Sequence, residues 1–155
     1  MDGSTYRKIM IATDGSESVK RAVETAVEFA KLSGAKLYAV YVIAFGRPLR
    51  PYPKDVGWER ATLEHFRAEG KQATVYVENA GKAANVEVES IILEGNPANE
   101  IVDFADKSDM DLIVMGTFGR TGIQKFLLGS VAENVVRHSR KPVLVVRGQT
   151  IEERK

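Results

Sequence analysis

The sequence predicts an α/β fold: an open parallel sheet of five strands with helices on both faces. Three observations predict it. Short apolar runs recur five times along the 155 residues, and most are apolar throughout, the pattern of strands buried on both faces. Between them lie segments whose apolar residues recur every three or four positions, the helical period. The two kinds of segment alternate, which implies βαβ units rather than hairpins.

The first strand is Lys8 to Thr13 (KIMIAT). Ser16 follows as an N-cap. Val19, Ala22, Val23, Ala26, Val27 and Ala30 then form one helical face, which Gly34 stops. Leu37 to Ile43 (LYAVYVI) is the second strand. Phe45 to Gly57 holds three prolines and two glycines and reads as a loop. A helix from about Trp58 to Gly81 follows, with Leu63, Phe66, Ala73 and Val77 on its buried side. The third strand, Val86 to Leu93, differs from the others. Its first half alternates valine with glutamate, so one side is wet, as in an edge strand. Asn96-Pro97 reads as an N-cap followed by proline at the first helical position, with Ile101, Val102 and Ala105 facing inward. Asp111 to Met115 (DLIVM) is the fourth strand. Ser130 begins the last helix, Glu133 stands three residues on, and Pro142 blocks continuation. Val143 to Val146 is the fifth strand, and 148–155 reads as a frayed tail.

Right-handed crossovers leave few ways to connect these elements. The expected solution is Rossmann-like, with strand order 3-2-1-4-5 and a switch point between strands 1 and 4. Ligands of open α/β sheets bind there, beyond the carboxyl ends of the strands. The chain is expected to form one domain over 1–155, with its core at about 7–147.

Bulk composition narrows the function classes. A net charge of +1 argues against a protein built to hold nucleic acid. The absence of cysteine removes disulfides, thiol catalysis and cysteine-ligated zinc. No stretch approaches the roughly 18 apolar residues of a membrane span. The first residues lack the apolar region and cleavage site of a signal peptide. A cytoplasmic protein without a membrane partner is therefore expected.

The chemistry is expected after Thr13 and after Met115. After the fourth strand the chain reads MGTFGRTGIQKFLLGSVAEN, with glycines at 116, 119, 122 and 129, and then Ser130. Gly116 and Gly119 let a ligand approach main-chain N–H groups. Gly129 and Ser130 stand where a helix begins, and its unpaired N–H groups and dipole favour an anion. That combination describes a phosphate cradle. Ser130 and Glu133 equally match a capping box, which needs no ligand, and Asp14 reads equally as a turn residue or helix cap. Arg120 and Lys125 lie inside the loop, either within reach of phosphates or solvated. A P-loop signature is absent, and Thr13-Asp14-Gly15-Ser16 stands where a dinucleotide-binding fold would place its glycine fingerprint.

The spacing Gly116-x2-Gly119-x9-Gly129-Ser130 resembles that of the ATP-binding universal stress proteins. The resemblance runs from Lys8 to Arg147 and includes Asp14 and the ending LLGSVAENVVRHSRKPVLVVR. The family has a branch that lacks these glycines and does not bind ATP; this chain looks like the binding branch. The resemblance implies a nucleotide-dependent regulatory or stress-response module with ATP as its ligand. By position it implies that Thr13 and Asp14 lie beside ribose and adenine and that Val42 contacts the base. Met115 and Gly116 would form the pocket floor. Gly119, Gly129, Ser130 and Val131 would hold the phosphates through backbone N–H groups and the serine hydroxyl. A carboxylate such as Asp14 accepts hydrogen bonds from ribose hydroxyls or helps hold Mg2+ against the phosphates.

Catalytic machinery is not legible. His65 and His138 are the only histidines; both fall on helices without metal-ligand spacing. A slow ATPase or nucleotidyl transferase, or an interaction protein with a structural glycine loop, are the alternatives. A homodimer is expected through the fifth strand, around Val143 and Val145. That strand lies at a sheet edge with neither charge nor bulge to protect it, and many members of the resembled family dimerise by it.

Overall fold

The computed structural model describes residues 5–44, 56–117 and 128–148, without the side chains of residues 56–59. Its five strands are all parallel and lie in the order β3-β2-β1-β4-β5. They are β1 (Lys8–Ala12), β2 (Lys36–Ile43), β3 (Val88–Glu94), β4 (Leu112–Gly116) and β5 (Val143–Val146). The helices are α1 (Lys20–Ser33), α2 (Val56–Ala83), α3 (Pro97–Lys107) and α4 (Ser130–His138). The strand order is the expected one.

Successive residues of a strand point to opposite faces, so apolar strands feed two cores. On one face Ile9, Ile11, Leu37, Ala39 and Val114 pack under α1 and the C-terminal half of α2. On the other, Met10, Val40, Ile113 and Met115 pack under α3 and α4. A third cluster joins Tyr41 and Ile43 of β2 to Leu63, Phe66 and Ala73 of α2. β3 is half-buried and is the wet edge that its valine–glutamate alternation predicts.

Most helix ends follow local chemistry. Gly34 takes the left-handed conformation at φ 74° and donates its N–H to Ala30 O. Asn96 accepts from the Asn99 N–H through its side chain, and Pro97 opens α3.

Five sequence expectations need correcting. Ser16 precedes a short 3₁₀ turn, Glu17–Val19, and α1 proper starts only at Lys20; the Ser16 side chain makes no capping bond. Ser130 begins α4 as expected, but as its first helical residue, with Gly129 as the N-cap. The capping box therefore does not form, and Glu133 pairs with Arg137 at 2.8 Å. α2 begins before Trp58, taking in Val56 and Gly57 of the expected loop, and runs past Gly81 to Ala83; residues 45–55 lie outside the described residues. β3 starts two residues late, at Val88: Val86 still belongs to the turn that closes α2, where its N–H donates to Gly81 O. The expected tail also loses its first residue: Gly148 is buried, and a Cβ on it would meet Ser18 O at 2.6 Å.

Candidate functional site

The fold leaves a cavity of about 440 Å3 beyond the carboxyl ends of β1, β2 and β4, at the switch point. That volume lies within the range of small-molecule pockets. Ala12, Val40 and Met115 supply apolar floor, Phe66 and Glu69 come from α2, and Pro97 and Ile101 come from α3. Gly129, Ser130, Val131 and Ala132 bring in the start of α4. Thr13, Asp14, Val42, Met115, Gly116, Gly129, Ser130 and Val131 all line this one cavity. Gly119 and Arg120, with Gly122 and Lys125, lie outside the described residues.

The turn after β1 is held by its own side chains. Thr13 is buried, and its hydroxyl accepts the Gly15 N–H at 3.1 Å. Asp14 Oδ1 accepts the Ser16 N–H at 2.9 Å. Gly15 sits at φ 76°, a conformation that favours glycine. Asp14 is thus a turn residue and at the same time a wall of the cavity.

This turn also exposes part of β2. The β1–β2 register ends with Ala12 opposite Val40, and the Thr13 N–H makes the last bond, to Val40 O at 2.9 Å. Peptide groups alternate sides along a strand. Val42 therefore points its N–H and C=O the same way as Val40, toward β1, where β1 has already turned away. A hydrogen-bond donor and acceptor are left side by side at the cavity.

On the other side, the glycine-rich loop is pinched shut at its base. The Thr117 N–H donates to Val146 O at 3.2 Å, and the Gly129 N–H donates to Thr117 O at 2.6 Å. α4 starts at once, and its first intrahelical bond is Glu133 N–H to Gly129 O. The N–H groups of its first turn have no acceptor within the helix, and the helix dipole is positive there. Beside them the Thr117 hydroxyl is buried and has no hydrogen-bond partner among the described residues.

The only charged side chains among the described lining residues are Asp14 and Glu69, both acidic. Glu69 Oε1 lies 3.3 Å from His65 Nε2 on the next turn of α2. Both histidines are exposed on helices; His138 Nδ1 lies 2.9 Å from Asn134 O, one turn back along α4. Among the described residues there is no group of three or more histidine or carboxylate side chains suited to a metal ion. No helix among the described residues is long and apolar enough to cross a membrane.

Sequence reasoning did not assign Phe66, Glu69, Pro97, Ile101 or Thr117 to the site. Phe66 and Glu69 are three apart on α2, so their common face was readable; that this face meets the cavity was not. Gly95-Asn96-Pro97, after the third strand, could by position border the pocket, but helix-start chemistry explains these residues without a ligand, and only the packed structure puts Pro97 in the lining.

Comparison with known proteins agrees with this architecture. A family model described as "Universal stress protein family" matches residues 5–147. Universal stress protein MJ0531 of Methanocaldococcus jannaschii is 44% identical over 142 residues, covering 92% of this chain and 82% of that protein. The solved structure of MJ0577, from the same organism, has a TM-score of 0.80 at 32% identity, covering 94% of this chain and 98% of that one. A universal stress protein in complex with cAMP has a TM-score of 0.70 at 30% identity, covering 93% and 98%. One from Archaeoglobus fulgidus in complex with dAMP has a TM-score of 0.66 at 29% identity, covering 90% and 97%.

Proposed function

The chain belongs to the universal stress protein family, and on that premise we propose that it is an ATP-binding member, a nucleotide-dependent regulatory or stress-response module. One observation carries the proposal: a single cavity joins the Asp14 turn, the exposed peptide edge of Val42 and the first turn of α4. These three features suit three parts of a nucleotide. The Val42 donor–acceptor pair matches the amino and ring-nitrogen edge of adenine. Asp14 and Thr13 face the ribose. Gly129, Ser130 and Val131 offer N–H groups and a hydroxyl to phosphate, as helix N-termini do. Met115 and Gly116 lie beneath. In this reading Gly119 contributes its backbone N–H and Arg120 its charge to the phosphates.

The acidic character of the described lining gives a cation a reason to accompany ATP. Mg2+ bound by phosphate oxygens and water, with at most Asp14 from the protein, agrees with the absence of a metal cluster among the described residues. The cAMP and dAMP complexes of related proteins support an adenine nucleotide as the ligand class. Little or no turnover is proposed for the protein alone, since neither histidine belongs to the described lining of the cavity. We further propose a homodimer through β5, at Val143 and Val145, and residence in the cytoplasm, with neither nucleic acid nor membrane as a partner.

Thermal denaturation with Mg2+ and ATP or AMP tests the reading. A ligand at 100 times its dissociation constant adds about 2.7 kcal/mol, enough for a clear rise in melting temperature. Gly129→Val should abolish the rise without unfolding the protein, because Gly129 already holds an extended conformation, φ −62° and ψ 160°, that valine adopts. An undiminished rise in Gly129→Val would remove the phosphate assignment. Sustained phosphate release at about 1 per second, an ordinary enzyme rate, would make the protein an enzyme.

A further inference from the structure

From the buried, unpartnered hydroxyl of Thr117 we infer that this residue is a phosphate-positioning residue of the cavity. The inference rests on the nucleotide reading above and deepens it.

Thr117 stands where β4 ends and the glycine-rich loop leaves. Both of its peptide groups are spent, the N–H on Val146 O and the C=O on the Gly129 N–H. The side-chain oxygen alone has no partner among the described residues, although it is shut off from water. Leaving a buried hydroxyl unpaired is costly, and valine has nearly the same shape without that cost. A threonine here is explained if something binds its hydroxyl. The residue borders the candidate cavity together with Gly116, Gly129 and Ser130, which places it beside the first turn of α4. The group expected there is anionic, and a hydroxyl donates to a phosphate oxygen. Threonine side chains occupy discrete staggered wells. The hydroxyl breaks no hydrogen bond with the described residues when it changes well, so the arriving phosphate selects the well that faces it. The carbonyl bond from Gly129 at 2.6 Å fixes the main chain while the side chain turns.

The test is calorimetric titration of wild type, Thr117→Val and Thr117→Ser with ATP, AMP and adenosine, with Mg2+ present throughout. Thr117→Val should bind ATP and AMP about tenfold more weakly, the order expected for losing one hydrogen bond to a charged group. Adenosine binding should not change, and Thr117→Ser should behave as wild type. Ligand-free Thr117→Val should melt no lower than wild type, since valine gives up only an unpaired hydroxyl; if it does not fold, Thr117→Ala replaces it in the same titrations. Wild-type affinity for ATP in the valine or alanine protein overturns the inference and leaves the nucleotide reading intact. An equal loss for adenosine also overturns it, because the residue would then be shaping the pocket rather than holding phosphate. A wild-type protein that binds none of the three ligands overturns the nucleotide reading, and this inference with it.

Discussion

At one edge of the sheet β3 runs for seven residues, Val88–Glu94; at the other β5 runs for four, Val143–Val146. The two edges are covered in different ways. β3 carries Glu89 and Glu94, and its side chains are tied down within the chain. Lys36 Nζ lies 3.2 Å from Glu89, Arg67 lies 3.3 Å from Glu94, and the Ser90 hydroxyl donates to Glu78 at 2.8 Å. β5 is valine, leucine, valine, valine, each half-buried, with no charge in the strand. Charges on an edge keep it from pairing with another chain; a bare apolar edge invites pairing. The difference teaches that an edge strand's function is visible in what covers it. β3 is finished by its own chain, whereas β5 is the edge at which we propose that a second copy pairs, in an antiparallel, two-fold arrangement.

The largest expected effect breaks the comparison at β5. Pro142 O and Val146 O accept from β4 and from Thr117 beyond it, so the alternating Val143 and Val145 point their N–H groups away from the sheet. Val145→Pro thus removes an outward donor and spares the ladder to β4. Sedimentation should show a dimer for wild type and a monomer for the variant. Ile92→Pro is its counterpart on β3: Glu87 O faces β2, so Ile92, an odd number of residues away, points its N–H outward. That variant should remain a dimer. A monomeric wild type, or a monomeric Ile92→Pro, would end the distinction between the edges.

A smaller effect sharpens the claim that β3 is held from within. Gly81 of α2 lies against the start of β3, and a Cβ there would stand 2.3 Å from Val88 Cγ2 and 3.0 Å from Val86 O. Alanine is the better helix former by about 1 kcal/mol, yet the backbone oxygen cannot swing aside. Gly81→Ala should therefore destabilise the protein by about 1–3 kcal/mol, the usual cost of overpacking, as read from urea denaturation. A stabilised variant would show that α2 does not grip β3 closely.

The smallest effect lies at the entry to β5. Lys141 Nζ is 2.6 Å from Asp109 Oδ1. This hydrogen bond, and then the lysine charge, lowers the Asp109 carboxyl below its ordinary value, while Asp109 raises Lys141. A lowered carboxylate contributes stability above its unfolded value and loses it as pH falls through the folded one. Asp109→Asn should cost little at neutral pH, and the gap in melting temperature from wild type should close in acid. Asparagine tolerates the left-handed backbone at this position, φ 53°, so the comparison isolates the charge. A gap that persists in acid would assign the effect to something other than the ion pair.

How much was legible in the sequence follows the range of the forces involved. The five strands could be read because burial on both faces demands apolar residues throughout, as in Ile9, Met10 and Ile11, all fully buried. Their order followed from the handedness of crossovers. Gly34, Asn96 and Pro97 acted as expected, because a helix stop or cap is decided within a few residues. Ser130 begins α4 as expected, but Ser16 as a cap and the Ser130 capping box each missed by a short distance: a cap depends on which peptide leaves the helix, and serine fits at several neighbouring positions. Tertiary structure alone decided the rest. It set Phe66 and Glu69 of α2 around the same cavity as Asp14 and Ser130, residues brought together only when α2, α4 and the end of β1 pack. It also left the Thr117 hydroxyl without a partner among the described residues, since what a side chain fails to meet depends on every neighbour the fold delivers. Periodicity and capping are local chemistry and can be read along the chain; a cavity is the space left between elements and exists only once they are placed.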